Sequence, residues 1–309
     1  MATGISVGVV LRAADLAAHA GRLDAVARAA IRAGVDRLAV GDHVSFANGA
    51  GADGLVQATA LLASHPMLRV DTAVYLLALR HPAVVARQLA TISELAPGRL
   101  TFGVGVGGDD PRELRLCGVD PRTRGARTTE ALELLKRFLT GEEVTFAGRF
   151  FAIEGSAIRP APRPVIPILV GGRADAALLR TGRLGDGWIG VWVSARRYRE
   201  AQGIIQRAAD TAGRASPAWR HTLQLWAGFD VSRERAVARI RPVMEQSYAM
   251  PFERFERYTP CGRAEDVAAA LEPYLQAGCR RFNFVPEAGG LGDAFEYVAA
   301  VKSHLIGSS

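Results

Sequence analysis

Buried strands alternate with amphipathic helices along this chain, and the pattern is clearest between residues 69 and 110. Residues 70–77 form a predominantly apolar run, which is typical of a parallel strand covered on both faces. Pro82 predicts a helix start, because proline suits the first turn, and apolar residues then recur at three- and four-residue spacing. A second apolar run at 100–106 leads into Gly107-Gly108-Asp109-Asp110. The stretch therefore predicts a strand–helix–strand unit whose glycine-rich carboxyl end faces a ligand.

Three glycines here, Gly103, Gly105 and Gly108, satisfy the dinucleotide-binding spacing G-x-G-x-x-G. That motif requires the glycines to follow a strand and open a helix, whereas Gly103 and Gly105 lie inside the predicted strand. The sequence therefore disfavours a Rossmann-type nucleotide site. Glycines are instead expected to keep this strand end thin, so that a flat ring or a neighbouring backbone can approach it.

The alternation continues along the whole chain and gives eight strands with about as many helices. Residues 143–153 alternate around Ala147-Gly148, which predicts an inserted hairpin, and residues 250–261 predict an irregular excursion. No linker divides the chain, so we predict one α/β domain over residues 1–309, a (β/α)8 TIM barrel with insertions. The strands are expected at residues 5–10, 37–41, 70–77, 100–106, 166–170, 187–191, 221–231 and 281–285.

Composition disfavours several classes of protein. Apolar residues make up 49% of the chain, enough for a large core, yet no apolar run approaches the roughly 20 residues of a membrane span. The net charge of +7 lies on helices where arginines alternate with acidic residues, which does not favour nucleic acid binding. Three widely spaced cysteines and an amino terminus without signal-peptide features predict a cytoplasmic protein. The patterns of charge and apolar residues predict that it binds neither nucleic acid nor membrane.

Asp42 and His43 follow the second predicted strand, at the end of a barrel where catalytic groups collect. A histidine exchanges protons near neutral pH, which favours His43 as a general base over a loop histidine that caps backbone groups. Gly171-Gly172-Arg173-Ala174 follow the fifth strand, and free N–H groups at a helix start favour a phosphate site over a tight turn. Trp188 either fills the core or forms a wall of the substrate pocket. The strand ends lack the paired histidines of a metal site.

Six stretches, by their order and spacing, resemble the bacterial luciferase-like superfamily of flavin and deazaflavin oxidoreductases, and they cover nearly the whole chain. Gly-Asp-His at the end of the second strand resembles the branch that depends on coenzyme F420, a deazaflavin with a phosphate-linked polyglutamate tail. The stretches are AIRAGVDRLAVGDHV (30–44), TAVYLLALRHPAVVARQLATISELAPGRLTFGVGVGG (72–108), RGARTTEALELLKRFLTGEEVTFAGRFFAI (124–153), PRPVIPILVGG (162–172), LGDGWIG (184–190) and CGRAEDVAAALEPYLQAG (261–278).

This resemblance implies roles for individual residues. His43, together with Asp42, would be the general base beside the cofactor ring. Ala73 and Val74 would form a bulge with a non-proline cis peptide that supports the far face of the ring. Asp109 or Asp110 would reach toward the substrate or the ribityl hydroxyls. The residues expected along the edge of the ring are Gly105, Gly107 and Gly108.

The resemblance therefore predicts an oxidoreductase that transfers a hydride between F420 and an unidentified small organic substrate, and that forms a homodimer. One alternative is an FMN-dependent monooxygenase, which would receive reduced flavin from a partner reductase and react with oxygen. Another is a flavin-binding paralogue without turnover. The loops that would select the substrate, at residues 45–53, 250–261 and 287–292, have no feature that identifies a molecule.

Overall fold

The computed structural model describes residues 4–46, 49–107, 110–214 and 218–307. Eight parallel strands follow one another around a closed barrel, and the last strand pairs with the first. The predicted (β/α)8 TIM barrel is therefore confirmed. The strands are β1 (Ser6–Leu11), β2 (Arg37–Val40), β3 (Val70–Leu76), β4 (Leu100–Gly105), β5 (Ile168–Gly171), β6 (Gly187–Val191), β7 (Thr222–Phe229) and β8 (Arg281–Glu287).

An outer ring of helices alternates with the strands. Local chemistry sets the helix ends as predicted from the sequence: Pro82 occupies the first turn of its helix, and the His81 side chain accepts a hydrogen bond from the N–H of Ala83. The ring helices are α1 (Leu23–Ala33), α2 (Gly54–Ser64), α3 (Pro82–Leu95), α4 (Arg124–Phe138), α5 (Asp175–Leu184), α6 (Ala195–Thr211), α7 (Ala264–Gln276) and α8 (Leu291–Gly307), with a further short helix at Ala13–Ala18.

An antiparallel hairpin follows β2, where His43–Phe46 pairs with Ala50–Ala52. The sequence predicted only a loop at residues 45–53, and this prediction was wrong. Small residues allow the two segments to approach, since a Cβ atom on Gly51 would lie 2.5 Å from the carbonyl oxygen of His43. The close pairing of the two segments therefore depends on the absence of a side chain at Gly51.

Two further insertions follow β4 and β7 and therefore begin at the carboxyl end of the barrel. The first is a short helix, Pro111–Leu116. The second begins with the helix Arg233–Tyr248 and continues through the turns Phe252–Arg254 and Glu256–Tyr258 to Cys261–Gly262, which pairs with β7. The irregular excursion predicted for residues 250–261 is confirmed.

The hairpin predicted around Ala147 is also present, as Val144–Ala147 paired with Ala152–Ser156. Glu130 on α4 ties it to the barrel, because its carboxylate accepts the backbone N–H groups of Arg149, Phe150 and Phe151 at 2.8–3.0 Å. Charge-assisted bonds of this kind fix a turn more firmly than neutral ones.

The barrel interior is charged at its amino end and apolar toward its carboxyl end. At the amino end, Arg37 and Asp71 form an ion pair at 3.1 Å, and both side chains are 2% exposed. Farther along the strands, an apolar cluster is continuous with the helix Arg233–Tyr248, which covers β7 and β8. Its members from the barrel strands are Val10, Ala39, Ala73, Trp226 and Val285.

Among the residues that the structure describes, no helix has both the length and the apolarity required to cross a membrane.

Candidate active site

His43 lies directly beyond β2, at the carboxyl end of the barrel, with its side chain 37% exposed. Its Nδ1 atom is 3.1 Å from Oε2 of Glu113, whose side chain is 3% exposed. Oε1 of Glu113 also accepts the backbone N–H groups of Val44 and Ser45, at 2.7 and 3.1 Å. Because the carboxylate serves as an acceptor, we assign the proton to Nδ1 of the neutral ring, which leaves Nε2 free to accept another. The arrangement suits a general base.

Sequence reasoning missed Glu113, which lies 70 residues from His43 along the chain. A signal is present in hindsight: Asp110 caps the short helix by accepting the N–H of Arg112, and Pro111 occupies its first turn. A cap followed by proline fixes a helix start and places Glu113 in that first turn. The sequence does not show that this turn packs beside the hairpin of His43.

Asp42 has a different role from the catalytic one predicted for it. Its side chain is fully buried and accepts hydrogen bonds from the backbone N–H groups of Gly54 and Leu76, both at 2.9 Å. Both Nη atoms of Arg80 complete the set, at 2.5 and 2.9 Å. Burial raises the pKa of Asp42, and the charge of Arg80 opposes that rise. With its oxygens occupied by these donors, Asp42 holds the start of the hairpin in place instead of touching a substrate.

Arg80 extends this network across the base of the hairpin. It also contacts Oδ2 of Asp53 at 3.2 Å, and its guanidinium lies 4.4 Å from the centre of the Tyr75 ring. Burial of Tyr75 raises the pKa of its hydroxyl. One cation thus connects both ends of the segment between β2 and α2 to β3.

The Ala73–Val74 peptide is cis, as the family resemblance predicted, and the register between β3 and β4 shifts at this point. The half-buried side chain of Val74 points between β4 and β5. A Cβ atom on Gly105 would lie 2.5 Å from its Cγ2 atom, and one on Gly171 would lie 2.9 Å from its Cγ1 atom. The glycines at these two strand ends therefore make room for Val74, whose methyl groups provide an apolar surface at the carboxyl end.

The remaining residues predicted beside the ring are only partly described. Gly107 follows β4 and is half-buried with φ 66°, whereas Gly108 and Asp109 lie outside the described residues. Asp110 was predicted as a possible contact for substrate or ribityl hydroxyls. Its carboxylate caps the short helix and pairs with the Arg112 side chain at 2.8 Å, and its contact with a substrate or ribityl hydroxyl stays a prediction.

The segment from Gly171 to Ala174 forms a turn before α5 and not the first turn of the helix itself, which begins at Asp175. Gly172 has φ 135°, and a Cβ atom there would lie 2.8 Å from Cβ of Ala177. Ala174 is the N-cap and has no side chain that can accept a hydrogen bond from the following N–H groups. The amino end of α5 therefore retains backbone N–H donors for an anion, while the carboxylate of Asp175 in the first turn reduces the positive potential there.

Trp188 lies in the core, 1% exposed, and is the second residue of β6 instead of its last. Its Nε1 atom donates to the carbonyl oxygen of Gly172 at 2.7 Å, and its ring packs on Tyr198 at a centroid distance of 5.4 Å. The structure thus places it behind the glycine turn, where it supports Gly172, and not on the wall of a substrate pocket.

A cavity of about 660 Å³ adjoins the amino end of α5. Trp192, with φ 50°, forms part of its wall, and the Arg173 guanidinium lies 5.5 Å from the centre of the indole ring. The ring of Trp192 also packs against Tyr248 and Phe255 of the insertion after β7, each at 4.9 Å. The charged residues of the wall are Arg173, Arg196, Arg197, Arg257 and Glu200.

Within the described parts of the chain, no three or more His, Cys, Asp or Glu side chains are grouped so that they could hold a metal ion.

The profile of the family described as luciferase-like monooxygenase matches residues 1–281. The F420-dependent glucose-6-phosphate dehydrogenase of Kineococcus radiotolerans is 26% identical over 290 residues, which cover 84% of this chain and 85% of that protein. Uncharacterised proteins of Mycobacterium tuberculosis and M. bovis are 36% identical over 170 residues, and there the match spans only 58% of their length.

Two solved structures show the same fold at low identity. An F420-dependent secondary alcohol dehydrogenase, in complex with an F420–acetone adduct, has a TM-score of 0.85 at 19% identity, covering 98% of this chain and 99% of that one. The monooxygenase RslO1 of Streptomyces bottropensis has a TM-score of 0.81, also at 19% identity and with the same coverage. The shared architecture therefore includes both F420-dependent and monooxygenase relatives.

Proposed function

The chain belongs to the family of luciferase-like monooxygenases, and within it we propose an oxidoreductase that transfers a hydride between F420 and a small organic substrate. The observation that carries the proposal is the His43–Glu113 pair, which lies at the same end of the barrel as the Val74 surface. A proton acceptor and an apolar platform at one barrel end are what a ring-based hydride transfer requires.

The residues at this end fit a flat ring that carries a phosphate-linked tail. Val74 offers an apolar support for a ring, and the amino end of α5 offers backbone donors for a phosphate. The adjoining cavity has four arginines and one glutamate in its wall. Arg196 pairs with Glu200, and Arg197 pairs with Asp175 of α5, which leaves a formal excess of two positive charges. This excess favours the polyanionic tail of F420 over FMN, which has a phosphate but no acidic tail.

The chain supplies the proton transfer, while F420, when bound, supplies or accepts the hydride. In the oxidising direction, Nε2 of His43 would take the proton of a substrate hydroxyl, while Nδ1 stays hydrogen-bonded to Glu113. Glu113 then faces the positive imidazolium that forms, which stabilises it. The same residues return the proton in the reverse direction.

The similar F420-dependent proteins indicate which class of substrate to test. The names of the similar F420-dependent proteins specify glucose 6-phosphate and a secondary alcohol, and both are hydroxyl compounds. Glucose 6-phosphate and 2-propanol are therefore the first compounds to test, with loss of F420 absorbance as the measure of turnover.

The test of the role of His43 compares binding with turnover. His43→Ala should leave F420 affinity within a few fold, while turnover falls by about 10²–10⁴, the usual contribution of a general acid–base group. His65→Ala serves as a matched control, because His65 lies between α2 and β3, at the amino end of the barrel. Equal losses of affinity and turnover in His43→Ala would show that His43 binds the cofactor and is not the base.

The second candidate is an FMN-dependent monooxygenase, which the fold shared with a monooxygenase favours. The backbone donors at α5 suit the phosphate of either cofactor. Product that forms only with reduced FMN and oxygen, and not with F420, would establish this candidate. A paralogue without turnover is disfavoured because the His43–Glu113 pair is complete.

A further inference from the structure

A second cavity lies at the amino-terminal end of the barrel, opposite the candidate active site. Its volume is about 400 Å³. A strand of six residues, such as β1, spans about 20 Å, so the length of the barrel separates this cavity from His43. Five arginines and two aspartates line it, a formal excess of three positive charges. The arginines are Arg37, Arg69, Arg99, Arg220 and Arg281.

Two of these arginines share a single carboxylate. Arg37 and Arg281 both pair with Oδ2 of Asp71, at 3.1 and 2.6 Å, and the side chains of Arg37 and Asp71 are each 2% exposed. Burial lowers the pKa of Arg37 to about 9, and the nearby charge of Arg281 acts in the same direction. The Nε atom of Arg281 is buried and has no hydrogen-bond partner among the described residues. One positive charge beside the cavity is therefore uncompensated, which is costly in a buried site.

The other arginines add to this excess. Arg99 donates from Nη1 to the carbonyl oxygens of Leu62, His65 and Leu68, which are neutral acceptors. Arg69 and Arg220 are exposed, and their side chains form no hydrogen bond or ion pair within the part of the chain that the structure describes.

The acidic side of the cavity is already engaged. Oδ1 of Asp36 pairs with Nζ of Lys302 at 2.6 Å, while its Oδ2 accepts the N–H of Val7 at 2.7 Å. Asp71 is shared by Arg37 and Arg281. The carboxylates in the wall therefore leave the cavity cationic.

A third cavity, of about 610 Å³, adjoins the cavity of about 400 Å³ and shares Ser6, Arg220 and Arg281 with it. Its wall includes Trp219 and His221, whose rings stack at a centroid distance of 5.3 Å and an angle of 15°. Burial lowers the pKa of His221 to about 4, so its ring is neutral near pH 7, and the Arg214 guanidinium lies 5.8 Å from the centre of the Trp219 ring. A flat ring attached to an anionic group finds both chemistries here.

We propose that the amino end of the barrel binds a phosphate-bearing small molecule, with its oxyanion held by Arg69, Arg220 and Arg281. The ligand is either inorganic phosphate or the phosphate of a nucleotide whose base lies on Trp219. Arginine is the side chain best suited to such oxyanions, because its planar donors match two oxygens at once.

The first experiment measures thermal unfolding of the cofactor-free protein in potassium phosphate, with potassium chloride at equal ionic strength as the reference. Phosphate should raise the melting temperature in a saturable way, because a ligand that binds only the folded state stabilises it. ADP and adenosine distinguish the two sources of phosphate. A tighter effect of ADP that Trp219→Ala abolishes identifies a nucleotide, whereas equal effects of ADP and phosphate identify a free oxyanion. A shift with adenosine alone would overturn the proposal.

The second experiment locates the site. Arg69→Gln combined with Arg220→Gln should weaken phosphate binding by about tenfold or more, since each removes a charge-assisted donor. Arg254→Gln removes an exposed arginine that lines neither cavity and should leave the affinity unchanged. Arg173→Ala should also retain the phosphate effect. The proposal is wrong if the effect is absent in the wild type, or if Arg173→Ala abolishes it while the double variant keeps it.

Discussion

The hydrogen bond between His43 and Glu113 determines which ring nitrogen can receive a proton. Nδ1 faces the carboxylate at 3.1 Å, so Nε2 is the atom left for a substrate. Glu113 is itself fixed by the backbone N–H groups of Val44 and Ser45. The base and its partner are therefore oriented before any ligand arrives, which is how a positioned acid–base group gains its effect.

Glu113→Gln tests this positioning role. A glutamine cannot stabilise the imidazolium, so turnover should fall by about 10- to 1000-fold while F420 affinity changes little. Glu133→Gln, which changes a half-buried acid paired with Arg183, is the control. A loss of F420 affinity as large as the loss of turnover would show that Glu113 only packs the hairpin.

The position of His43 could be predicted from the sequence, whereas the contacts of Asp42 and Glu113 could not. The position of His43 followed from the end of β2, because strand ends can be read from apolar runs. The direction of a side chain beyond a strand cannot be read this way. Asp42 is turned toward Arg80 and Leu76, although it is adjacent to His43. Glu113 could not be assigned at all, since its contact depends on how a separate helix packs.

At the scale of elements, three strand ends meet around one side chain. Val74 lies between Gly105 of β4 and Gly171 of β5. The sequence predicted a thin strand end at Gly105, and the neighbour that uses this space is the side chain of Val74. Interiors packed at native density do not tolerate an added methyl group at such a contact.

Gly105→Ala should destabilise the protein by about 1–3 kcal/mol through overpacking, because the new Cβ atom would lie 2.5 Å from Cγ2 of Val74. Val74→Ala removes that atom, and the double variant should recover much of the loss. Urea unfolding of the two single variants and the double variant gives the coupling energy. Additive effects of the two substitutions would contradict the packing described here.

Substitutions at Gly172 and Arg173 test the proposed phosphate site at the amino end of α5. Gly172→Val places a side chain at φ 135° and against Ala177, so it should weaken intact F420 or FMN much more than the dephosphorylated ring–ribityl fragment. Arg173→Ala should act in the same direction but more mildly, and most strongly at low salt. Equal losses for the fragment and the whole cofactor in both variants would mean that the phosphate is held elsewhere.

Element boundaries were predictable where pattern and breaker residues agree, as at Pro82 and at the hairpin around Ala147. The boundaries were not predictable where a contact with the backbone determines where an element begins. The start of α5 lies at Asp175 because the turn at Gly172 is fixed by Trp188, which the sequence does not place. The hairpin at His43–Phe46 likewise depends on close approach of Gly51.

At the scale of the whole molecule, the closed barrel followed from the strand–helix alternation, because parallel strands joined by helices have few ways to close. The charged amino end did not follow from the sequence. Arg37, Asp71 and Arg281 come from three strands and meet only when the barrel closes. The homodimer and the cytoplasmic location remain predictions, which sedimentation and cell fractionation can test.

Stability should depend on pH through His221. Its Nδ1 atom accepts the N–H of Trp188 at 3.2 Å, and burial lowers its pKa from 6.5 to about 4. As pH falls from 6.5 to 4, the unfolded chain binds a proton that the folded protein does not, so stability falls across this window by up to about 3 kcal/mol. Below pH 4 this contribution is constant.

His221→Asn should remove this slope, whereas His65→Asn, at a half-exposed position, should keep it. Urea unfolding at several pH values in phosphate-free buffer makes the comparison without a ligand at the amino end. Parallel curves for the wild type and His221→Asn would assign the acid sensitivity to other groups.

The most direct test of the proposed function is a titration of the purified protein with F420 and, separately, with FMN, followed by ring fluorescence. The cationic wall near α5 predicts tighter binding of F420, by about tenfold or more, and a steeper loss of F420 affinity as salt is raised. Removal of the acidic tail from F420 should abolish this advantage. FMN binding that equals or exceeds F420 binding at low salt, with no effect of the tail, would contradict the assignment of F420 as the cofactor.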